Sequence, residues 1–186
     1  FAGVPPKVTL LENTSLTAGR LTFAVRLAGP PDGAPVMLLH GFPETSAMWT
    51  PLMSALAAAG YRCAAPDQRG YSRGARPASV AAYGYDHLTG DVFGLGDAVG
   101  GEGFPLVAHD WGALVGWMAL KRDAGRIRSF TALSIPHIRA FAEATWADED
   151  AEAYRKVLAL ILAPDGAAER VFGRDDMAGF RGTWGG

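Results

Sequence analysis

Between Phe104 and Leu120 an apolar, β-prone run meets a tight turn between small residues. A helical pattern then begins at once, with Ala113, Leu114, Val115, Trp117, Met118 and Leu120. Strand, sharp turn and helix in immediate succession is the context of a nucleophile elbow, usually written G-x-S-x-G. The outer positions here are Ala108 and Gly112, both small enough for strand and helix to come close. The central position, where serine ordinarily sits, holds Asp110. The turn requires a buried strand on one side and a packed helix on the other, and the carboxylate narrows the chemistry.

A serine at an elbow attacks acyl carbon. A carboxylate doing the same would give a mixed anhydride, a poor route. Attack on a saturated carbon that bears a leaving group gives an alkyl ester instead, which water can later cleave. Epoxides and carbon–halogen compounds are the electrophiles that fit. The competing reading of Asp110 is a helix cap, since an Asp before a helix accepts backbone N–H bonds.

The rest of the chain predicts the frame around this turn. Val8 to Leu11 and Arg20 to Leu27 alternate apolar and polar residues around a break at Ala18-Gly19, the pattern of an antiparallel pair at a sheet edge. Val36 to Leu39 is a continuous apolar run, as expected of a central strand buried on both faces. It leads into the loop His40-Gly41-Phe42-Pro43-Glu44. Ser46 then caps a helix over 47–59, which Gly60 stops. Tyr61 to Ala65 reads as the next buried strand. Gln68 to Pro77 is a long polar loop with three arginines, and such loops often carry function. A helix is expected from Asp86 to Val99, weakened by Gly90, Gly94 and Gly96 at about 1 kcal/mol each relative to alanine, so a close-packed face is expected there. Ile127 to Ile135 reads as a further strand. The order β-β-β-α-β-α-β-α-β means an α/β chain with a doubly wound, mostly parallel sheet and an antiparallel start.

After Pro136-His137 only helical patterns remain. Arg139 to Trp146 is one segment. Asp148 or Asp150 caps a second, with Ala151, Tyr154, Val157, Leu158, Ile161 and Leu162 on one face, and short pieces follow at 167–172 and 176–180. The chain thus divides into a core over 1–137 and a helical layer over 138–186, lying where open α/β sheets bind ligands, over the carboxyl ends of the strands.

Composition excludes several function classes. With 186 residues, 49% hydrophobic and a net charge of −2, the chain has a real core and no basic face for nucleic acid. No stretch approaches the ~20 apolar residues of a membrane span. The lone cysteine, Cys63, falls in a predicted buried strand, so no disulfide framework forms within the chain and a cytoplasmic home is expected. Gly94-x-Gly96 lacks dinucleotide spacing. No cofactor and no metal is expected.

Three segments occur in one order: His40-Gly41-Phe42-Pro43, Asp67-Gln68-Arg69-Gly70-Tyr71-Ser72, and His109-Asp110-Trp111-Gly112. Together they resemble the α/β-hydrolase superfamily, most closely the soluble epoxide hydrolases, with haloalkane and haloacetate dehalogenases as near relatives. The resemblance covers about residues 20–137, and the helical tail matches only as a cap. It implies an α/β-hydrolase fold in which Asp110 is the nucleophile and the backbone N–H groups of Phe42 and Trp111 form the oxyanion hole. Pro43 would hold the oxyanion loop through its fixed φ.

By the same resemblance a cap tyrosine protonates the opened epoxide, and Tyr154 is the tyrosine of the helical tail. The substrate pocket, for an epoxide or an organohalide, would be lined by His40, Pro43, Trp111 and His137. His40 and His109 are expected to hold loops by hydrogen bonds rather than to act as the catalytic base. Arg69 and Arg73 are expected to brace their loop. His87 is expected at the surface.

The family continues after its cap with further strands that carry an acid and the water-activating histidine. This chain has no histidine after His137 and ends mid-cap by resemblance. The expectation is that a C-terminal segment or a second chain completes the fold. The readings in play are an epoxide hydrolase, a dehalogenase using the same aspartate, and a non-catalytic ligand-binding module of the same fold.

Overall fold

The computed structural model describes residues 11–147 and, beyond them, Glu152, Arg155, Lys156, Ala159 and Arg170. Six strands, β1 (Glu12–Ala18), β2 (Leu21–Ala28), β3 (Ala34–Leu39), β4 (Tyr61–Pro66), β5 (Phe104–His109) and β6 (Ile127–Leu133), form one sheet in the order β1-β2-β4-β3-β5-β6. β1 pairs antiparallel with β2, and β2 with β4. The β3–β4, β3–β5 and β5–β6 pairs are parallel. Helices α1 (Thr50–Ala58), α2 (Tyr85–Ala98) and α3 (Trp111–Arg122) connect the parallel strands.

β3 shows why its run has no polar residue. Met37 and Leu39 belong to a core with Phe23, Val92, Leu95, Leu106, Ala113 and Val115, on the side of α2 and α3. Val36 and Leu38 face the opposite side, packing with Trp49, Met53 and Ala57 of the α1 region and with Cys63. Successive side chains of a strand point to opposite faces, so helices on both sides leave no solvent-facing set. The expected doubly wound sheet with an antiparallel start is what the structure has.

Several boundaries differ from expectation. The first strand runs from Glu12 to Ala18 rather than ending at Leu11; Val8 to Leu10 lie outside the described residues. The antiparallel turn still falls at Ala18-Gly19, where Gly19 has φ 60°. The helix expected from residue 47 opens as a 3-10 turn over Ser46–Trp49, capped by Thr45 rather than Ser46. The α-helix starts at Thr50, because Pro51 fits only in a first turn. β6 stops at Leu133 rather than Ile135, since Ser134 adopts φ 70° and leaves the strand conformation.

The glycines of α2 mark a close-packed face. A Cβ at Gly94 would stand 2.9 Å from the Ala18 Cβ, and one at Gly96 would overlap the Phe104 ring. Gly90 has no such neighbour beyond the end of Arg122.

Contacts divide the chain into two compact units, Phe1–Ile138 and Arg139–Gly186. Within the second, α4 (Ile138–Ala147) continues from the boundary, Arg155 donates to the Thr145 carbonyl, and its guanidinium lies over Trp146. Tyr154 and the other apolar positions expected on that helical face lie outside the described residues.

Candidate active site

β5 delivers Asp110 to the carboxyl edge of the sheet, between the ends of β3 and β6. Asp110 has φ 50° and ψ −121°, a region sparsely used by residues with a Cβ, and such residues cost on the order of 1–3 kcal/mol. The chain sustains it by bonding on both sides. The Asp110 N–H donates to the Leu133 carbonyl at 3.2 Å, and the Asp110 carbonyl accepts from Ala113 at 2.8 Å and Leu114 at 3.1 Å. Asp110 therefore occupies the N-cap position of α3, yet its side chain makes no capping bond. The carboxylate turns away from the helix, and the capping reading fails.

Its Oδ1 accepts instead from the Phe42 backbone N–H, at 2.9 Å across 68 residues of sequence. Oδ2 has no hydrogen-bond partner among the described residues. The Trp111 N–H sits in the first turn of α3, where backbone donors have no intrahelical acceptor. One backbone donor thus touches the Asp110 carboxylate. Phe42 and Trp111 are 47% and 37% exposed, large apolar residues at the surface. Pro43 is exposed and follows a cis Phe42–Pro43 bond.

Glycines permit this approach. A Cβ on Gly41 would stand 2.5 Å from the Asp110 Cβ and 2.8 Å from its Oδ1. A Cβ on Gly112 would stand 2.5 Å from the Leu39 carbonyl oxygen and 2.6 Å from that of His40. Both contacts are to rigid neighbours, so the 40–44 loop and the turn at Asp110 reach each other only without side chains there.

His40 does not line a pocket. It is fully buried, and both its ring nitrogens are engaged by backbone. Nδ1 is 2.8 Å from the Gly41 carbonyl, and Nε2 accepts from the Gln68 N–H at 3.1 Å. That pattern requires the neutral ring with its proton on Nδ1. Burial holds the His40 pKa below its usual value, against the opposing pull of the Gly41 carbonyl and of the charges on Asp67 and Glu44. The Gln68 side chain donates back to the His40 carbonyl at 2.6 Å. Tyr71 packs edge-on against the imidazole with ring centroids 4.5 Å apart. Its phenol pKa is raised, first by burial and then by the charge of Asp110, so the hydroxyl keeps its proton.

His109 faces Glu44 of the 40–44 loop. Its Nδ1 stands 3.3 Å from Glu44 Oε2, close enough for an ion pair but not aligned as a hydrogen bond. His137, at the carboxyl end of β6, is exposed and meets the Trp117 ring edge-on at 5.1 Å. Arg69 forms a two-pronged pair with Asp91, both bonds 2.7 Å, and donates to the Ala82 carbonyl, which anchors the 68–77 loop to α2. His87 is exposed at the start of α2. Among the described residues, no group of three or more His, Cys, Asp or Glu is placed to hold a metal, and no helix is long and apolar enough to cross a membrane.

Sequence reasoning missed Gln68, Tyr71 and Glu44. Gln68 and Tyr71 stood in the flagged polar loop, but nothing local shows that His40 is what they grip. Glu44 pairs with a residue 65 positions away, and no periodicity carries that signal.

Comparison with known proteins agrees with this geometry. The sequence model of a family described as alpha/beta hydrolase fold matches residues 34–169. Epoxide hydrolase A of Mycobacterium tuberculosis is 50% identical over 110 residues, 59% of this chain and 34% of that protein. Epoxide hydrolase 2 of Siraitia grosvenorii is 31% identical over 173 residues, 90% of this chain and 53% of the relative. The chain therefore spans about a third to a half of the curated relatives it matches. Among solved structures, an epoxide hydrolase of Vigna radiata superposes with a TM-score of 0.71 at 32% identity, covering 88% of this chain and 53% of that one.

Proposed function

From its place in the alpha/beta hydrolase fold family, to which this chain belongs, we propose that it opens epoxides through an ester formed on Asp110. The observation that carries the reading is the 2.9 Å bond from the Phe42 N–H to Asp110 Oδ1, with Oδ2 left unbonded among the described residues. A carboxylate held by one oxygen presents the other as the attacking atom.

In this reading Oδ2 attacks the less hindered ring carbon. A C–O bond forms to the enzyme, the ring C–O bond breaks, and its electron pair stays on the departing oxygen. The Tyr154 hydroxyl donates the proton that this oxygen takes up. The ester carbonyl oxygen is then Oδ1, which already accepts from the Phe42 N–H, with the Trp111 N–H as the second donor in this reading. When water adds to the ester carbon, the negative charge develops on that oxygen, and these donors stabilise it. Cleavage restores the carboxylate and releases a diol, so the sum is epoxide plus water. Water addition needs a general base. His40 is unsuited to it, being buried with both nitrogens bonded.

His137 and the exposed rings of Phe42 and Trp111 line the substrate mouth, Pro43 shapes the loop, and the unit beginning at Arg139 serves as the cap. The buried thiol of Cys63, whose pKa is pushed up to about 11 by burial, suits a reducing cytoplasm.

The test is intact mass of the protein before and after incubation with styrene oxide. The expected result is an adduct of one epoxide mapping to Asp110, transient if a base is present and lasting if not. Asp110→Asn, nearly isosteric, should form no adduct while keeping its fold. Halide release from haloacetate without epoxide adduct would favour a dehalogenase. No reaction with either, despite ligand binding, would favour a binding module.

A further inference from the structure

The turn that follows β6 is tied to the nucleophile at one end and to helix α3 at the other. Leu133, the last residue of β6, accepts the Asp110 N–H through its carbonyl at 3.2 Å. Ser134 then takes φ 70°, so two adjacent segments both leave ordinary backbone space at this point, Asp110 being the other. Two residues on, the Ile135 carbonyl accepts from the Trp117 indole Nε1 at 3.2 Å. The Trp117 ring meets Phe130 of β6 edge-on at 4.8 Å and His137 edge-on at 5.1 Å. It can do so because Gly116 lies beside it: a Cβ there would stand 2.6 Å from the Phe130 ring.

Trp117 lies seven residues after Asp110, close to two full turns and so on the same side of α3, about 10 Å along the axis. One side chain thus holds the strand before the turn, a carbonyl inside it and the histidine after it. Among the described residues, the Trp117 indole is the side chain that hydrogen-bonds to this turn. A non-glycine residue at positive φ persists only where its surroundings over-determine it, and here Asp110 donates to the carbonyl of the residue that precedes Ser134.

We propose that Trp117 is a positioning residue for the reaction. It fixes the β6 turn so that the Leu133 carbonyl holds the Asp110 N–H, and with it the direction of the attacking carboxylate, and it sets the face that His137 turns to the substrate. The proposal rests on the alkylation reading above for its kinetic consequence but not for its structural one. Loss of the indole N–H should free the Ile135 carbonyl, loosen the turn and blur the aim of Asp110. A misplacement by an ångström can cost on the order of 100-fold in rate.

Two variants separate the donor from the packing. Trp117→Phe keeps an aromatic ring against Phe130 and His137 but removes the N–H. Trp117→His keeps a ring N–H and loses part of the surface. Two measurements are made on the full chain: hydrogen exchange at the Asp110 amide, and the single-turnover rate of adduct formation at saturating styrene oxide. Trp117→Phe should raise exchange at Asp110 at least tenfold while amides of β3 and β5 stay protected. It should also lower the maximal adduct rate by about 10- to 100-fold with little change in the half-saturating concentration. Trp117→His should recover part of both. If Asp110 exchange in Trp117→Phe rises no more than in β3 and β5, the proposal is overturned, whatever the rates. If the unmodified protein forms no adduct, the epoxide reading fails, and the exchange comparison still decides the role of Trp117.

Discussion

Replacing Gly112 by alanine probes whether the distance between the 40–44 loop and the turn at Asp110 matters to the proposed chemistry. The added Cβ would lie 2.5 Å from the Leu39 carbonyl oxygen and 2.6 Å from that of His40, where ordinary contact begins at 3.4 Å. Relief needs a shift of about 0.9 Å, the difference between 3.4 and 2.5 Å. Neither side yields readily: Leu39 ends the central strand, which pairs with β4 and β5, and Gly112 lies in the first turn of α3. The start of α3 must move away from β3, and Asp110 moves with it, away from Phe42. The 2.9 Å bond to Oδ1 would then stretch beyond useful length. Overpacking of this kind costs about 1–3 kcal/mol, which for a chain of this size lowers the melting temperature by roughly 2–12 °C. The single-turnover adduct rate should fall by at least about tenfold, since an ångström of misplacement is worth up to about 100-fold. Thermal melts and quenched-flow mass spectrometry read the two effects. An adduct rate within twofold of the parent, alongside a lowered melting temperature, would refute the link between this spacing and reactivity.

Two further outcomes follow from buried charges. His40 is held neutral by burial, so its folded pKa lies below the value of about 6.5 that the unfolded chain shows. The unfolded state therefore binds more protons below that pH. The contribution is complete above about pH 6.5 and is lost as pH falls towards the folded value, with a slope of up to about 1.4 kcal/mol per pH unit. Urea unfolding of His40→Gln should show a shallower loss of stability below pH 6.5 than the parent, and an unchanged slope would count against this account. Arg69→Ala leaves the Asp91 carboxylate, 11% exposed, buried without its cation, at a cost of about 3–5 kcal/mol. Arg69→Met with Asp91→Leu should recover most of that loss in the same assay, and a double variant as unstable as the single one would contradict it.

Much of this molecule was legible in one dimension. The runs Val36 to Leu39, Tyr61 to Ala65 and Phe104 to Ala108 read as buried strands because helices on both faces permit no polar alternation. The elbow read as an elbow because Ala108, Asp110 and Gly112 stand at the spacing a strand-to-helix turn needs. The glycines of α2 announced a close face, and Gly94 and Gly96 lie against Ala18 and Phe104. Such signals are local: periodicity, small residues at contacts and turn chemistry all act within a few positions. The elements that went astray were decided by single backbone facts, such as Pro51 delaying α1 and Ser134 ending β6 two residues early.

The site itself was only half legible. That Asp110 is a candidate nucleophile could be argued from its residue type and context. That its side chain reaches Phe42 rather than capping α3 was decided by the parallel pairing of β3 and β5, which sets their two carboxyl ends side by side. The same holds for His40, expected both at a pocket wall and as a holder of loops, and found buried with its loop-holding bonds to Gly41 and Gln68, and for Glu44 against His109. Apart from the Gly41 bond, these contacts join residues 28 to 68 positions apart. A chain can encode which groups it carries and the local turns that present them. Which groups meet is a property of strand order and register, and those are settled only when the whole sheet buries both its faces at once.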